Sequence, residues 1–313
     1  MKILLTGSDG FIGSMIKPVL EKKYDVVPLK SDLRNHQAVR HEVVTERPHV
    51  IMHFAARTEV EQSFKEPLEF SNVNYIGTQN LIESARLVPR FECFIHASTM
   101  EVYGRQPISD EVIANKIPEK FIAFNRDTPC KPNAPYAVAK YAAEKYLQYA
   151  SSAYGLNFIA FRQTNIYGRT NSCFFVTESI ISQMLNNPDE INLGYAEPYR
   201  NFLHVDDLID LYVTSVEERD RLKNLIYTIG PDEPIKIRDY ANIIADKIGW
   251  SGTINWDTRP ERKGEFYWLN SENEVEKQIG WKPKISLDEG LDRTIEYWKH
   301  TDFKGSTLVN LNR

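Results

Sequence analysis

The chain has 313 residues, 42% hydrophobic and 26% charged, which suits one large or two closely shared globular domains rather than a disordered or fibrous polymer. A net charge of −5 argues against a general nucleic-acid binder, since phosphate backbones select a basic surplus or stripe. Cys93, Cys130 and Cys173 form no CxxC pair, no window holds the ~20 apolar residues of a membrane helix, and MKILLTG is too short an apolar run for a signal peptide, so a reducing cytoplasm is expected.

Taken in chain order, short β-branched runs alternate with helical periodicity. Strands are predicted at Lys2–Thr6, Val26–Leu29, Val50–Phe54, Cys93–Ala97 and Asn157–Phe161, and helices at Phe11–Lys22, Gln37–Glu46, Pro67–Val88 and Pro135–Tyr154. Right-handed crossovers then give an α/β fold, a Rossmann-type doubly wound parallel sheet. After about Ile166 the rhythm becomes irregular, with helices at Phe175–Leu185, Val205–Val216, Arg238–Ile248 and Leu287–Lys299, a strand at Lys223–Gly230, and a polar tail from about Thr301. This reads as a smaller mixed α/β C-terminal lobe. The expected division is 1–165 plus about 200–230 for the sheet domain and about 166–199 plus 231–313 for the lobe. The stretch between Tyr103 and Tyr136 carries Pro107, Pro118, Pro129, Pro132 and Pro135, and reads equally as a cover over a site or a plain surface excursion.

Immediately after the first strand, GSDGFIG places Gly7, Gly10 and Gly13 at a strand-to-helix turn, with Phe11 and Ile12 opening the helix. Gly7 and Gly10 permit a tight turn and close backbone approach to a pyrophosphate, and Gly13 permits close helix packing, so dinucleotide binding is expected. The second strand ends at Leu29, Lys30 and Ser31, with no carboxylate where an NAD site usually holds the adenosine ribose. Lys30, with Ser31 or Arg34, suits a ribose phosphate instead, which leans the cofactor from NAD toward NADP. Asp32 and Leu33 would flank the adenine, and Phe54, Ala55 and Ala56 would lie against the cofactor.

PYAVAK sets Tyr136 and Lys140 four apart on one helix face. An ammonium beside a phenol favours the phenolate and lowers its pKa. Upstream, HASTMEVYG presents Ser98, Thr99 and Glu101 at a strand's carboxyl end, the edge where open α/β sheets bind ligands. The histidines show no HxxxH or HxxEH spacing on a predicted helix, so no metal site is expected.

With GSDGFIG, HFAARTEVEQS, NVNYIGT, STMEVYG, PYAVAK, RQTNIYG and RNFLHVDD in that order, the chain resembles the extended short-chain dehydrogenase/reductase family over nearly its whole length, in particular its nucleotide-sugar epimerases and dehydratases. The resemblance implies that Tyr136 is the acid/base, that Lys140 lowers its pKa and grips the nicotinamide ribose, and that Thr99 completes the triad. It also implies that Asn74 supports the cofactor, that Asn165, Arg200 and Arg262 hold the diphosphate of a nucleotide sugar, and that the protein is a homodimer. The dimer would form a four-helix bundle from Pro67–Val88 and Pro135–Tyr154, in which Leu81, Ala85, Ala142 and Leu147 are either contacts or intramolecular core. No nucleic-acid or membrane partner is implied.

Oxidation at carbon 4 of the sugar gives a ketone that acidifies its neighbours. Re-reduction from the other face is epimerisation; a carboxylate such as Glu101, in the family's Thr-x-Glu pattern, opens elimination or decarboxylation. Met100 stands where 4,6-dehydratases often carry a proton donor, which methionine is not. The alternatives are an NADPH-dependent 4-keto-sugar reductase and a non-catalytic NADP-binding protein.

Overall fold

In the computed structural model, residues 1–106, 123–170, 172–231, 233–258, 265 and 267–301 are described. The frame is one sheet of β1 (Lys2–Thr6), β2 (Asp25–Pro28), β3 (Val50–His53), β4 (Cys93–Thr99), β5 (Phe158–Gln163) and β10 (Leu225–Ile229), in the order β2-β1-β3-β4-β5-β10. Every neighbouring pair is parallel. Strands covered on both faces are mostly apolar, and β3 and β4 are buried at every position, with His53, His96, Ser98 and Thr99 as their buried polar groups.

Ile16 and Leu20 of helix Phe11–Leu20 pack on one face with Leu208, Leu211 and Tyr212 of helix Val205–Glu217. Val39 and Val43 of helix His36–Glu46, Leu81 and Ala85 of Gly77–Ala85, and Leu147 and Ala150 of Pro135–Tyr154 pack on the other. The β1–β2 and β2–β3 connections thus lie on opposite faces, and the reversal of direction at β1 and β3 opens a crevice at the strands' carboxyl ends.

The long helix keeps its expected bounds, because Pro135 supplies the pre-set φ of a first helical residue and Gly155 the left-handed cap (φ 71°). The single helix expected over Pro67–Val88 is instead Pro67–Ser71, a π-helical turn Asn72–Ile76 and Gly77–Ala85. A further helix, Val60–Lys65, precedes it; Glu66 between them is non-helical, as a residue before proline prefers.

The smaller lobe is built from pairs of very short strands. β6 (Asn165–Tyr167) pairs with β9 (Phe202–His204), β7 (Glu190–Asn192) with β12 (Thr253–Asn255), and β8 (Tyr199–Arg200) with β11 (Ile235–Lys236). Strands of two or three residues leave no period to read in a sequence. Tyr167, Ile191 and Phe202 of these strands share a core with helices Val176–Asn186, Ile237–Ile248 and Leu287–Lys299, while Ile166 and Leu203 join the core of the main sheet. Ser286 caps the last of these by accepting the Glu289 N–H at 3.2 Å. Val275 and Trp281, from the stretch expected in the lobe, pack into the core of the main sheet.

Candidate active site

Gly7 sits at φ +69°, and a Cβ added there would lie 2.7 Å from the Ala55 nitrogen. At Gly13 a Cβ would come within 1.9 Å of the Gly7 carbonyl oxygen, so only glycine lets the turn and helix close together. Gly10 donates its N–H to Gly7 O at 3.0 Å and caps helix Phe11–Leu20 without a side chain. The helix start therefore keeps N–H groups for an anion, and the cradle fits a dinucleotide pyrophosphate.

A buried relay floors the cradle. Thr78 donates to Asn74 O (2.7 Å), so His53 Nε2–H must donate to Thr78 Oγ1 (2.9 Å). His53 Nδ1 then accepts from Thr6 Oγ1 (2.7 Å), which itself accepts from Ala55 N (3.1 Å). Burial drops the His53 pKa to about 3, so the imidazole stays neutral and the directions hold at any working pH. The Asn74 side chain grips both backbone groups of Arg57, at 2.9 and 2.8 Å. It thereby fixes the backbone at Arg57, two residues past Ala55. Phe54 packs edge-on against Tyr212 (4.6 Å), and Ala55 and Ala56 stay half-buried beside the turn.

Two of the three groups expected to receive a ribose phosphate are already engaged. Arg34 forks onto Asp32 (3.0 and 3.1 Å from Nε) and reaches Glu69 at 2.8 Å, holding the Asp32 carboxyl down to about 2. Ser31 donates to Glu42, and Lys30 is exposed. Leu33 is 7% exposed, wedged among Val39, Leu81 and Ile82 rather than open to a ligand through its side chain.

β4 and the long helix bring three of the expected catalytic groups together. The Thr99 side chain lies close enough to the Tyr136 phenol to oppose the effect of burial on it, and Glu101 lies within electrostatic reach. Thr99 also accepts the Glu101 N–H at 3.2 Å, capping a 3-10 turn over Met100–Tyr103. Lys140 is placed differently from the expectation. Its ammonium donates to Ala97 O at 2.8 Å, and burial lowers it to about 8. Burial pushes the Tyr136 phenol above its usual value, and Thr99 and the charge of Arg169 oppose that shift.

Arg169 was missed because it stands one residue beyond RQTNIYG, with no spacing to mark it. Its guanidinium lies over Phe11 (4.5 Å) and Phe175 (3.7 Å), with the fully buried Glu178 at 3.7 Å behind it. The Glu178 carboxylate also accepts the Gly168 and Arg169 N–H groups, both at 2.9 Å. A second buried group supports the triad. Glu144 accepts from Ser98 Oγ at 2.5 Å and from Arg162 Nε and Nη2 at 3.0 and 2.8 Å, while Arg162 Nη1 donates to Tyr103 Oη at 2.7 Å.

On the substrate side, Asn165 is half-buried at the start of β6, and Arg200 is buried and paired with Glu265 at 2.8 Å. Arg262 lies outside the described residues. Met100 is fully buried among Val102, Tyr103, Phe124, Trp268 and Leu269, away from solvent. Of the residues offered for contact between copies, Leu81, Ala85 and Leu147 are core of their own chain, and Ala142 is half-buried.

Comparison with known proteins agrees with this geometry. The chain is 26% identical over 322 residues to a putative UDP-glucose 4-epimerase of Methanocaldococcus jannaschii, covering 96% of this chain and 99% of that one. It is 27% identical over 333 residues to the dTDP-D-glucose 4,6-dehydratase of Bos taurus, covering 95% and 88%. The crystal structure of Thermotoga maritima UDP-glucose 4-epimerase with UDP-glucose superposes with a TM-score of 0.84 at 25% identity, covering 96% and 99%. Residues 3–230 match the model of the NAD dependent epimerase/dehydratase family, and the chain belongs to that family.

Proposed function

We propose that the protein is a nucleotide-sugar 4-epimerase, interconverting two nucleoside-diphosphate sugars that differ at carbon 4. The observation that carries this reading is the meeting of the Thr99 and Tyr136 hydroxyls, with Glu101 alongside, at the sheet edge that also holds the Gly7–Gly13 turn. A bound nicotinamide dinucleotide supplies the hydride acceptor for carbon 4 and the donor that restores it. Gly7, Gly10, Phe11, Ile12 and Gly13 would hold its pyrophosphate, Phe54, Ala55 and Ala56 its flank, and Lys140 its nicotinamide ribose. Thr99 orients the sugar's 4-hydroxyl, and the Tyr136 phenolate takes that proton as the 4-keto sugar forms. After the sugar turns its other face, Tyr136 returns the proton to the carbonyl oxygen. Asn165, Arg200 and Arg262 hold the diphosphate, for which guanidinium forks are suited.

Methionine at position 100 favours epimerisation over 4,6-dehydration, because a thioether cannot protonate a departing 6-hydroxyl. A second reading rests on Glu101, whose charge reaches Tyr136. That carboxylate would remove the carbon-5 proton of the ketone and lead to elimination or decarboxylation. A panel of UDP-, GDP-, CDP- and dTDP-sugars followed by mass spectrometry tests both. Unchanged mass with altered retention is the expected result. Loss of water or of carbon dioxide transfers the assignment to Glu101 chemistry, and stoichiometric NADPH consumption transfers it to a reductase.

The same reading includes a homodimer. Val138 and Tyr149, exposed at 51% and 47%, lie on one stripe of the long helix with Ala142, and Leu68 is exposed at 79% on the preceding helical element. These replace the buried leucines as the contact. Sedimentation as a monomer at micromolar concentration removes the dimer.

A further inference from the structure

We propose that Glu42 makes the adenosine end of the dinucleotide site discriminate against a 2′-phosphorylated ribose, so that the protein takes NAD in preference to NADP. This rests on the reading of the Gly7–Gly13 turn as a dinucleotide site.

The segment after β2 carries no acidic residue at 29–31, and the structure supplies the missing carboxylate from the next helix. Leu29 N–H still bonds Leu5 O at 2.9 Å, so Lys30 and Ser31 begin just past the β1–β2 ladder, one strand over from Thr6 and Gly7. That is where the ribose hydroxyls fall in a doubly wound dinucleotide fold. Glu42 Oε1 accepts Lys30 N–H at 2.8 Å, and Oε2 accepts Ser31 N–H at 2.9 Å and Ser31 Oγ–H at 2.6 Å. Three donors that a phosphate would need at this strand end are thus already given to a carboxylate. Partial burial opposes its ionisation, yet the hydrogen bonds from Ser31 and Lys30 outweigh burial and hold the carboxyl below its usual value.

The clamp has firm backing on both sides. Val39 and Val43 of the Glu42 helix are fully buried, and Asn35 caps that helix by accepting Ala38 N–H at 3.2 Å. The intervening loop is tied down by Asn80 Nδ2 donating to Leu33 O at 2.8 Å, and Leu33 packs so tightly on Gly77 that an added Cβ would meet it at 2.8 Å. Electrostatics point the same way. Lys30 and Arg34 face three carboxylates, Glu42, Asp32 and Glu69, and Arg34 already pairs with two of them. A 2′-phosphate, carrying about two further negative charges, would enter a region of net negative charge. A ribose diol instead offers a hydroxyl donor to the carboxylate's one remaining lone pair.

Titration of the full-length protein with NADH and with NADPH, read by nicotinamide fluorescence and calorimetry, tests the inference without turnover. The wild type is expected to bind NADH at least about tenfold more tightly. Glu42→Gln keeps the shape and removes the charge; it should tighten NADPH about tenfold while moving NADH less than about twofold. Glu42→Ala, which frees the Ser31 donors as well, should go further. Glu46→Gln, on the same helix but paired with Lys2 at 3.0 Å, should leave the ratio unchanged, and thermal unfolding confirms that each variant is folded. Equal binding of both dinucleotides by the wild type, or an unmoved ratio in folded Glu42→Gln, overturns the inference alone. Binding of neither dinucleotide overturns the site reading with it.

Discussion

Replacing Glu144 with Ala should cost the fold about 3–5 kcal/mol. Glu144 is completely buried and Arg162 is 3% exposed, so water cannot take over what the carboxylate provides. Truncation leaves Arg162 with Nε and Nη2 unmatched in a low-dielectric interior, retaining only its bond to Tyr103, and it strips Ser98 of its acceptor. An uncompensated buried cation accounts for most of the loss, and the orphaned hydroxyl adds about 1 kcal/mol. Glu144→Gln keeps the volume and one acceptor, and should fall about halfway. The double variant Glu144→Leu with Arg162→Met should be far more stable than the sum of its parts, since apolar groups of similar volume often replace a buried ion pair at little cost. Urea unfolding at neutral pH with an unchanged m-value is the assay. A Glu144→Ala variant within about 1 kcal/mol of the parent, or an additive double variant, refutes the reasoning. Ser98 precedes Thr99 and pairs with Arg162 across β4 and β5, so the destabilised variant should also lose turnover.

Tyr136→Phe should lower turnover by about 10²–10⁴-fold while dinucleotide affinity, read by fluorescence titration, stays the same; retained turnover removes Tyr136 from the chemistry. Arg169→Gln removes the cation that favours the phenolate, so the acid limb of the turnover–pH profile should move to higher pH, with Arg169→Lys moving it less. An unmoved limb would confine Arg169 to packing. Lys140 has an ordinary value of 10.5 in the unfolded chain and about 8 in the fold. Between those values the unfolded chain binds the extra proton, so stability rises with pH there, and below both the buried ammonium costs roughly 3 kcal/mol. Without dinucleotide, inactive Lys140→Met should therefore be roughly 1–3 kcal/mol more stable than the parent near neutral pH, the advantage disappearing above about pH 10.5. A less stable variant at neutral pH contradicts this.

The sheet was legible because each of its strands holds a short apolar or β-branched run and its helices have caps the sequence displays, as Pro135 and Gly155 do at the two ends of the long helix. The smaller lobe was not, since strands such as Tyr199–Arg200 and Ile235–Lys236 exist only through their partners. Thr99 and Tyr136 lie close together as their motifs implied, whereas the buried Lys140 ammonium donates to Ala97 O, a backbone acceptor that no motif marks. Arg169, Glu42 and Glu144 were invisible for one shared reason. Each acts through a residue distant in the chain, and a charge's partner across such a separation is set by tertiary structure.

The π-helical turn at Asn72–Ile76 changes how far the surrounding chain tolerates insertion and deletion. Its Gly77 N–H returns to Asn72 O, five residues back, which accommodates one more residue than a regular turn and shifts the helical phase by about 100°. That offset lets Asn74 point inward to Arg57 while Leu81, Ile82 and Ala85 still meet the sheet. Removing a single residue here would give a straighter helix that keeps either the apolar stripe or the asparagine in place, not both, so chain length in this segment is fixed by phase even where side-chain identity is free to vary.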